Sequence, residues 1–119
     1  MKRVVIESPL RADTPEGYER NRRYARACMR DSLRRGEAPF ASHLLYAQRG
    51  VLDDELEDQR EQGIRAGFAW GAVAELCAVY TDLGVSEGMA RGVAVSKIPV
   101  EHRSIPNWEY EERQEGFDF

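Results

Sequence analysis

Short β-branched runs alternate with longer stretches of helical period along this chain. Residues 3–7, Arg-Val-Val-Ile-Glu, are a short run with a β-branched centre and predict a buried strand. Pro9, Asp13, Thr14 and Pro15 mark the loop that follows. Thr14 suits an N-cap, Pro15 the first helical position, and Glu16 and Glu19 the start of a helix. Tyr18, Ala25, Cys28, Met29 and Leu33 then recur at helical spacing and predict the buried face of a helix ending near Arg35, where Gly36 stops it. Arg20, Arg22, Arg23, Arg26, Arg30, Arg34 and Arg35 crowd its remaining surface. They suit a solvated face paired with acids elsewhere, with Arg22 and Arg23 near enough to the helix start to reach a phosphate.

Ala38–Ser42 reads as a second short strand ending at His43, and residues 44–50 as a loop. Asp53–Glu61 is acidic and opens a second helix. Ile64, Ala66, Phe68, Ala69, Trp70, Ala72, Val73 and Ala74 make that helix apolar on most sides, so burial on more than one face is expected. Gly63, Gly67 and Gly71 would form a flat groove for close packing. Leu76–Thr81 is an apolar strand, Asp82–Val85 a turn, and Ser86 the cap of a third helix running to about Ser96. Ile98–His102 supplies the last strand. The order βαβαβαβ predicts an α/β fold, a Rossmann-like three-layer sandwich with a mostly parallel sheet of four to five strands.

The 119 residues, 42% hydrophobic and 32% charged, suit one globular domain. No apolar run approaches the ~20 residues a bilayer requires, so no membrane partner is expected. Met1–Ile6 has basic residues but no long apolar core, and it reads as a strand rather than a signal peptide. The net charge of -4 sits in residues 107–119, which hold Glu109, Glu111, Glu112, Glu115 and Asp118 against Arg113. Residues 1–106 balance at 16 bases and 16 acids, which excludes a general nucleic-acid-binding surface. The chain therefore divides into a domain over 1–106 and an acidic aromatic tail over 107–119. That tail is expected to be solvated and mobile. Trp108, Tyr110, Phe117 and Phe119 also suit docking on a neighbouring subunit or over a pocket. Cys28 and Cys77 sit in apolar surroundings without metal-ligand spacing and read as reduced thiols of a cytoplasmic protein.

Candidate chemistry gathers where strands end. Ser86 opens a helix whose free N–H groups attract an anion, and Gly88 permits close approach. Asp82, past the third strand, suits a ribose hydroxyl or a base amino group as well as a turn. Ser8 and Pro9 hold the matching place after the first strand. His43 suits a structural role or a proton carrier. Asp53, Asp54 and Arg60 suit a cap and ion pair, and Arg60 also a fork onto a phosphate or carboxylate. There is no nucleophile elbow, P-loop or zinc-ligand cluster, so neither metal nor cofactor is expected.

Four motifs keep an order that resembles the nucleoside 2-deoxyribosyltransferase-like family, in particular its small phage and bacterial members. They are Ser8-Pro9, Pro39 with His43-Leu44, Leu52-Asp53-Asp54 with Arg60 and Gly63, and Ser86 with Gly88-Met89. Asn21 matches an Asn on the first helix of that family, and the match covers about residues 3–103. The resemblance implies a nucleoside or nucleotide ligand held by Ser8, Pro9, Asn21, His43, Asp54, Arg60, Asp82, Ser86, Gly88 and Met89. It also implies cleavage or transfer of the N-glycosidic bond, a homodimer or homotetramer, and the cytoplasm (of the host, for a phage protein). The family's nucleophilic Glu falls three residues after the motif Met, and Gly92 stands at that place. Catalysis would need another carboxylate: Glu7, Glu87 or Asp82. Without one, the chain would be a nucleotide-sequestering protein or an interaction module.

Overall fold

A computed structural model describes residues 1–114. The elements are β1 (Arg3–Glu7), α1 (Pro15–Arg34), β2 (Ala38–Phe40), α2 (Ser42–Leu45), α3 (Glu57–Gly71), β3 (Leu76–Tyr80), α4 (Glu87–Val95), β4 (Val100–Arg103) and α5 (Trp108–Gln114). The four strands form one all-parallel sheet in the order β2-β1-β3-β4. The fold is α/β, a Rossmann-like three-layer sandwich.

Side chains alternate across the sheet and divide the core in two. Val4, Ile6, Leu76, Ala78 and Tyr80 join Tyr24 and Cys28 of α1 and Trp108 of α5 on one face. Cys77 and Val79, with half-buried Val5, meet Met89 and Val93 of α4 on the other. Local chemistry sets the helix ends. Thr14 Oγ1 accepts the Gly17 N–H at 3.0 Å, and Gly36 turns the chain after α1 at φ 80°. Ser86 Oγ accepts the Met89 N–H at 3.2 Å.

Several elements differ from expectation. The buried face of α1 holds Tyr24, Ala27 and Ser32 beside Tyr18, Ala25 and Cys28, whereas Leu33 is 55% exposed. Polar-tipped residues enter that face because their hydroxyls are satisfied: Ser32 Oγ donates to Glu37 Oε1 at 2.7 Å. The second strand stops at Phe40, where its pairing with β1 ends at Val5, and His43 lies on the short helix α2 instead of at a strand end. α3 begins at Glu57 rather than Asp53. The Asp53 side chain accepts the Glu55 N–H at 3.0 Å, a local turn that competes with helix. β4 starts two residues later than expected, at Val100.

The largest corrections concern α3 and the tail. No residue of α3 is buried, because its inner side borders a cavity. Residues 108–114 of the tail form α5, with Trp108 and Glu112 buried. Glu115, Phe117, Asp118 and Phe119 lie outside the described residues. Among the described residues no helix is long and apolar enough to cross a membrane. Cys28 and Cys77 are free and buried.

Candidate functional site

The chain leaves β1 toward β2 on one side of the sheet and β3 toward β4 on the other. Parallel sheets bind ligands outside the strand ends at such a reversal. A cavity of about 810 Å³ opens there, between α3 and α4 over the sheet. Its lining runs from Glu7, Ser8 and His43 at the carboxyl ends of β1 and β2, past Phe68 and Gly92, to Lys97 ahead of β4. That volume is in the range of small-molecule sites.

Glu7 shares the cavity face of β1 with Val5. Its carboxyl rests against the backbone of Gly92. A Cβ at residue 92 would stand 2.5 Å from both carboxyl oxygens, so a side chain there would force Glu7 away. Oε2 is buried with no hydrogen-bond partner. Burial strips water from the charged form, and the Glu7 pKa rises from 4.5 to about 7. The neighbouring Ser8 Oγ is also buried without a partner.

His43 Nε2 lies 2.6 Å from the Ser8 carbonyl oxygen. A carbonyl only accepts, so Nε2 carries the proton. Burial lowers the His43 pKa, opposed by that hydrogen bond, and the ring is neutral at neutral pH with Nδ1 as an acceptor. Arg60 pairs with Asp54 at 3.9 Å, and Tyr18 donates its hydroxyl to Asp54 at 3.3 Å. An Arg60 terminal nitrogen stands 3.5 Å from where a Gly88 Cβ would be, over the first turn of α4. This guanidinium adds to the positive end of the α4 dipole. Ser86, Gly88, Met89 and the exposed Glu87 line the same cavity.

Three candidates are engaged elsewhere. The Asp82 carboxylate accepts hydrogen bonds from Tyr24 (2.6 Å), Ser104 (2.7 Å) and the Ile105 N–H (2.9 Å). Burial raises its pKa, but these donors outweigh that and hold it below the ordinary value. Asp82 thus clamps α1 to the segment after β4 and does not line the cavity. Asn21 donates to the Leu10 carbonyl at 2.8 Å, fixing the loop after β1. Pro9 is buried in that loop. Neither borders the cavity.

The link between the two cavity walls has no signal in the sequence. Arg91 of α4 forks onto Glu61 of α3 at 2.6 and 3.1 Å and lies 5.7 Å from the Phe68 ring centre, tying the two cavity walls together across 30 residues. Gly63 and Gly67 do pack closely, against Leu52 and Ser42, but Gly71 meets nothing within 4 Å. A second hollow of about 540 Å³, lined by Tyr18 and Arg22, shares Leu52, Asp54 and Gln59 with the first. Among the described residues no group of three His, Cys, Asp or Glu side chains is placed to hold a metal ion.

No curated protein and no solved structure gives a match to this chain. The model of a domain of unknown function, DUF7768, matches residues 2–103, and the chain belongs to that family.

Proposed function

We propose that the cavity takes a nucleoside or a nucleoside 5′-monophosphate and that the chain cleaves or transfers the bond between base and (deoxy)ribose. One observation carries this reading. A buried carboxyl, Glu7, and the N-terminus of a helix, the first turn of α4 with Arg60 beside it, line one cavity at the reversal point of the sheet. The helix start suits a phosphate, and the carboxyl suits chemistry at the sugar. The resemblance to nucleoside 2-deoxyribosyltransferases supports the same substrate class. Asp82 is occupied by its clamp, which leaves Glu7 and Glu87 as carboxylates for the reaction. A second copy of the chain would cover the exposed Leu45, Trp70 and Val73, giving the expected homodimer or homotetramer. The buried free thiols fit a reducing cytoplasm.

The test is incubation with nucleosides, deoxynucleosides and their 5′-monophosphates, with released base followed by chromatography and the particle mass by light scattering. Base release that Glu7→Gln abolishes and Glu87→Gln retains is the expected result. Gly92 favours a second reading, a binder without turnover, because the position that the resemblance assigns to the nucleophile has no side chain. A nucleotide recovered intact from denatured protein, with no base released from any substrate, would establish that reading. A monomer mass at micromolar concentration would remove the oligomer from it.

A further inference from the structure

We propose that Glu7 is the proton donor to the departing base, a general acid and not a nucleophile, and that Gly92 is glycine to seat its carboxyl. The inference deepens the proposed function and rests on it. Oε2 is buried and unpartnered, and desolvation is the influence that sets the Glu7 pKa. The other charged groups around the cavity are mostly matched among themselves: Arg91 with Glu61, Arg60 with Asp54, and Arg11 with Glu57. Glu87 and Lys97 flank the two ends of α4. His43 is held neutral by burial, and burial pushes the Cys77 thiol on the neighbouring strand β3 up to about 11. Near neutral pH the group in this cavity poised to give up a proton is therefore Glu7.

An anionic carboxylate at this place would stand in poor solvent with no described hydrogen bond to Oε2. A neutral carboxyl there holds a proton and borders the cavity. The chemistry that follows is acid-assisted hydrolysis. As the bond between anomeric carbon and base nitrogen breaks, its electron pair goes to the nitrogen and the Glu7 proton joins it. Water adds to the anomeric carbon, and the proton that water sheds restores the Glu7 carboxyl. One water is consumed, and free base and sugar (or sugar phosphate) leave.

Methylated purine nucleosides separate this role from the alternatives. 7-Methylguanosine and its deoxy counterpart carry a cationic base that departs without being protonated. A general acid is therefore needed for the ordinary nucleoside and not for the methylated one. Wild-type protein is expected to release base from both. Its rate on ordinary substrates should fall as pH rises through about 7, with a flat profile on the methylated ones. Glu7→Gln should lose roughly 10²–10⁴-fold on ordinary substrates and stay within a few-fold on methylated ones. Equal loss on both would make Glu7 a nucleophile and overturn the assignment, as would equal retention on both. If wild type cleaves neither, the cleavage reading itself falls. Carbon-13 NMR of the labelled carboxyl groups tests the protonation state of Glu7 independently of turnover. One Glu should titrate near 7 and vanish in Glu7→Gln, and an ordinary carboxyl value for Glu7 would overturn the proposal whatever the substrates do. Far-ultraviolet dichroism confirms that the variant is folded.

Discussion

At the scale of single residues, the burial of Glu7 ties stability to pH with a definite sign. Its pKa is 4.5 when unfolded and about 7 in the native protein. Below the lower value both states hold the proton and no penalty arises. Between the two the unfolded chain ionises while the native one does not, so stability falls as pH rises, by on the order of 3 kcal/mol in total. Glu7→Gln removes that slope. Urea unfolding should find the variant gaining about that much on wild type at pH 8.5 relative to pH 4, and parallel profiles would refute the burial account. The position of Glu7 at a strand end was legible in the sequence, and so were the caps at Thr14 and Ser86. The seat that Gly92 provides was not, because it depends on how α4 lies on β1, and no local pattern encodes that distance. Asp82 shows the converse. Its place past β3 suggested a ligand, yet Tyr24, Ser104 and Ile105, remote in sequence, consume its lone pairs.

At the scale of elements, the acidic tail and the arginine-rich helix explain each other. Acidity alone suggested a solvated end, but α5 lies on α1 and places Glu109 against Arg20 at 2.8 Å, Glu112 against Arg23 at 3.8 Å and Glu111 against Arg34 at 3.6 Å. The two exposed pairs, Arg20–Glu109 and Arg34–Glu111, each add less than about 1 kcal/mol. Trp108 contributes more: it is 4% exposed, meets Tyr24 edge-on at 5.3 Å and packs in the main core. Trp108→Ala should therefore cost about 3–5 kcal/mol, and Glu109→Gln less than about 1 kcal/mol, both read from urea midpoints. Near-equal costs would mean that charge, not the indole, docks α5. The strands were easier to read than this helix because Val4–Ile6 of β1 and all of β3 are runs of apolar residues, and β3 is buried throughout. The seven residues of α5 carry one deeply buried anchor among charges, too weak a period to mark a packed helix.

At the scale of the whole molecule, the two sides of the sheet are built to different tightness. The α1 side is closed by Tyr24, Cys28, Tyr80 and Trp108. It is locked at β4 by Arg103, whose 2%-exposed side chain forks onto Glu37 at 2.8 and 2.7 Å. The other side holds the cavity, and α3 stands over it with no buried residue. The helix is retained by a few contacts: Leu52 on Gly63, Ser42 near Gly67, the Trp70 indole donating to Tyr46 at 2.7 Å, and the Arg91–Glu61 fork. The alternation of strands and helices made the topology readable, but the apolar character of α3 suggested a packed element when its inner face borders an open site. Segments with little buried apolar contact open at low free-energy cost, so backbone amides of α3 should exchange hydrogen faster than those of β1, β3 and α1. A nucleoside monophosphate bridging the first turn of α4 and Glu7 would supply the missing contacts. At a hundred times its dissociation constant it should stabilise the fold by about 2.7 kcal/mol, with the added protection concentrated in α3 and the start of α4. Hydrogen exchange read by mass spectrometry, with and without the nucleotide, measures both effects. If α3 exchanges as slowly as β3 in the free protein, the cavity is not the loose half of this fold. If protection instead appears around Tyr18 and Arg22, the ligand belongs to the smaller hollow beside it.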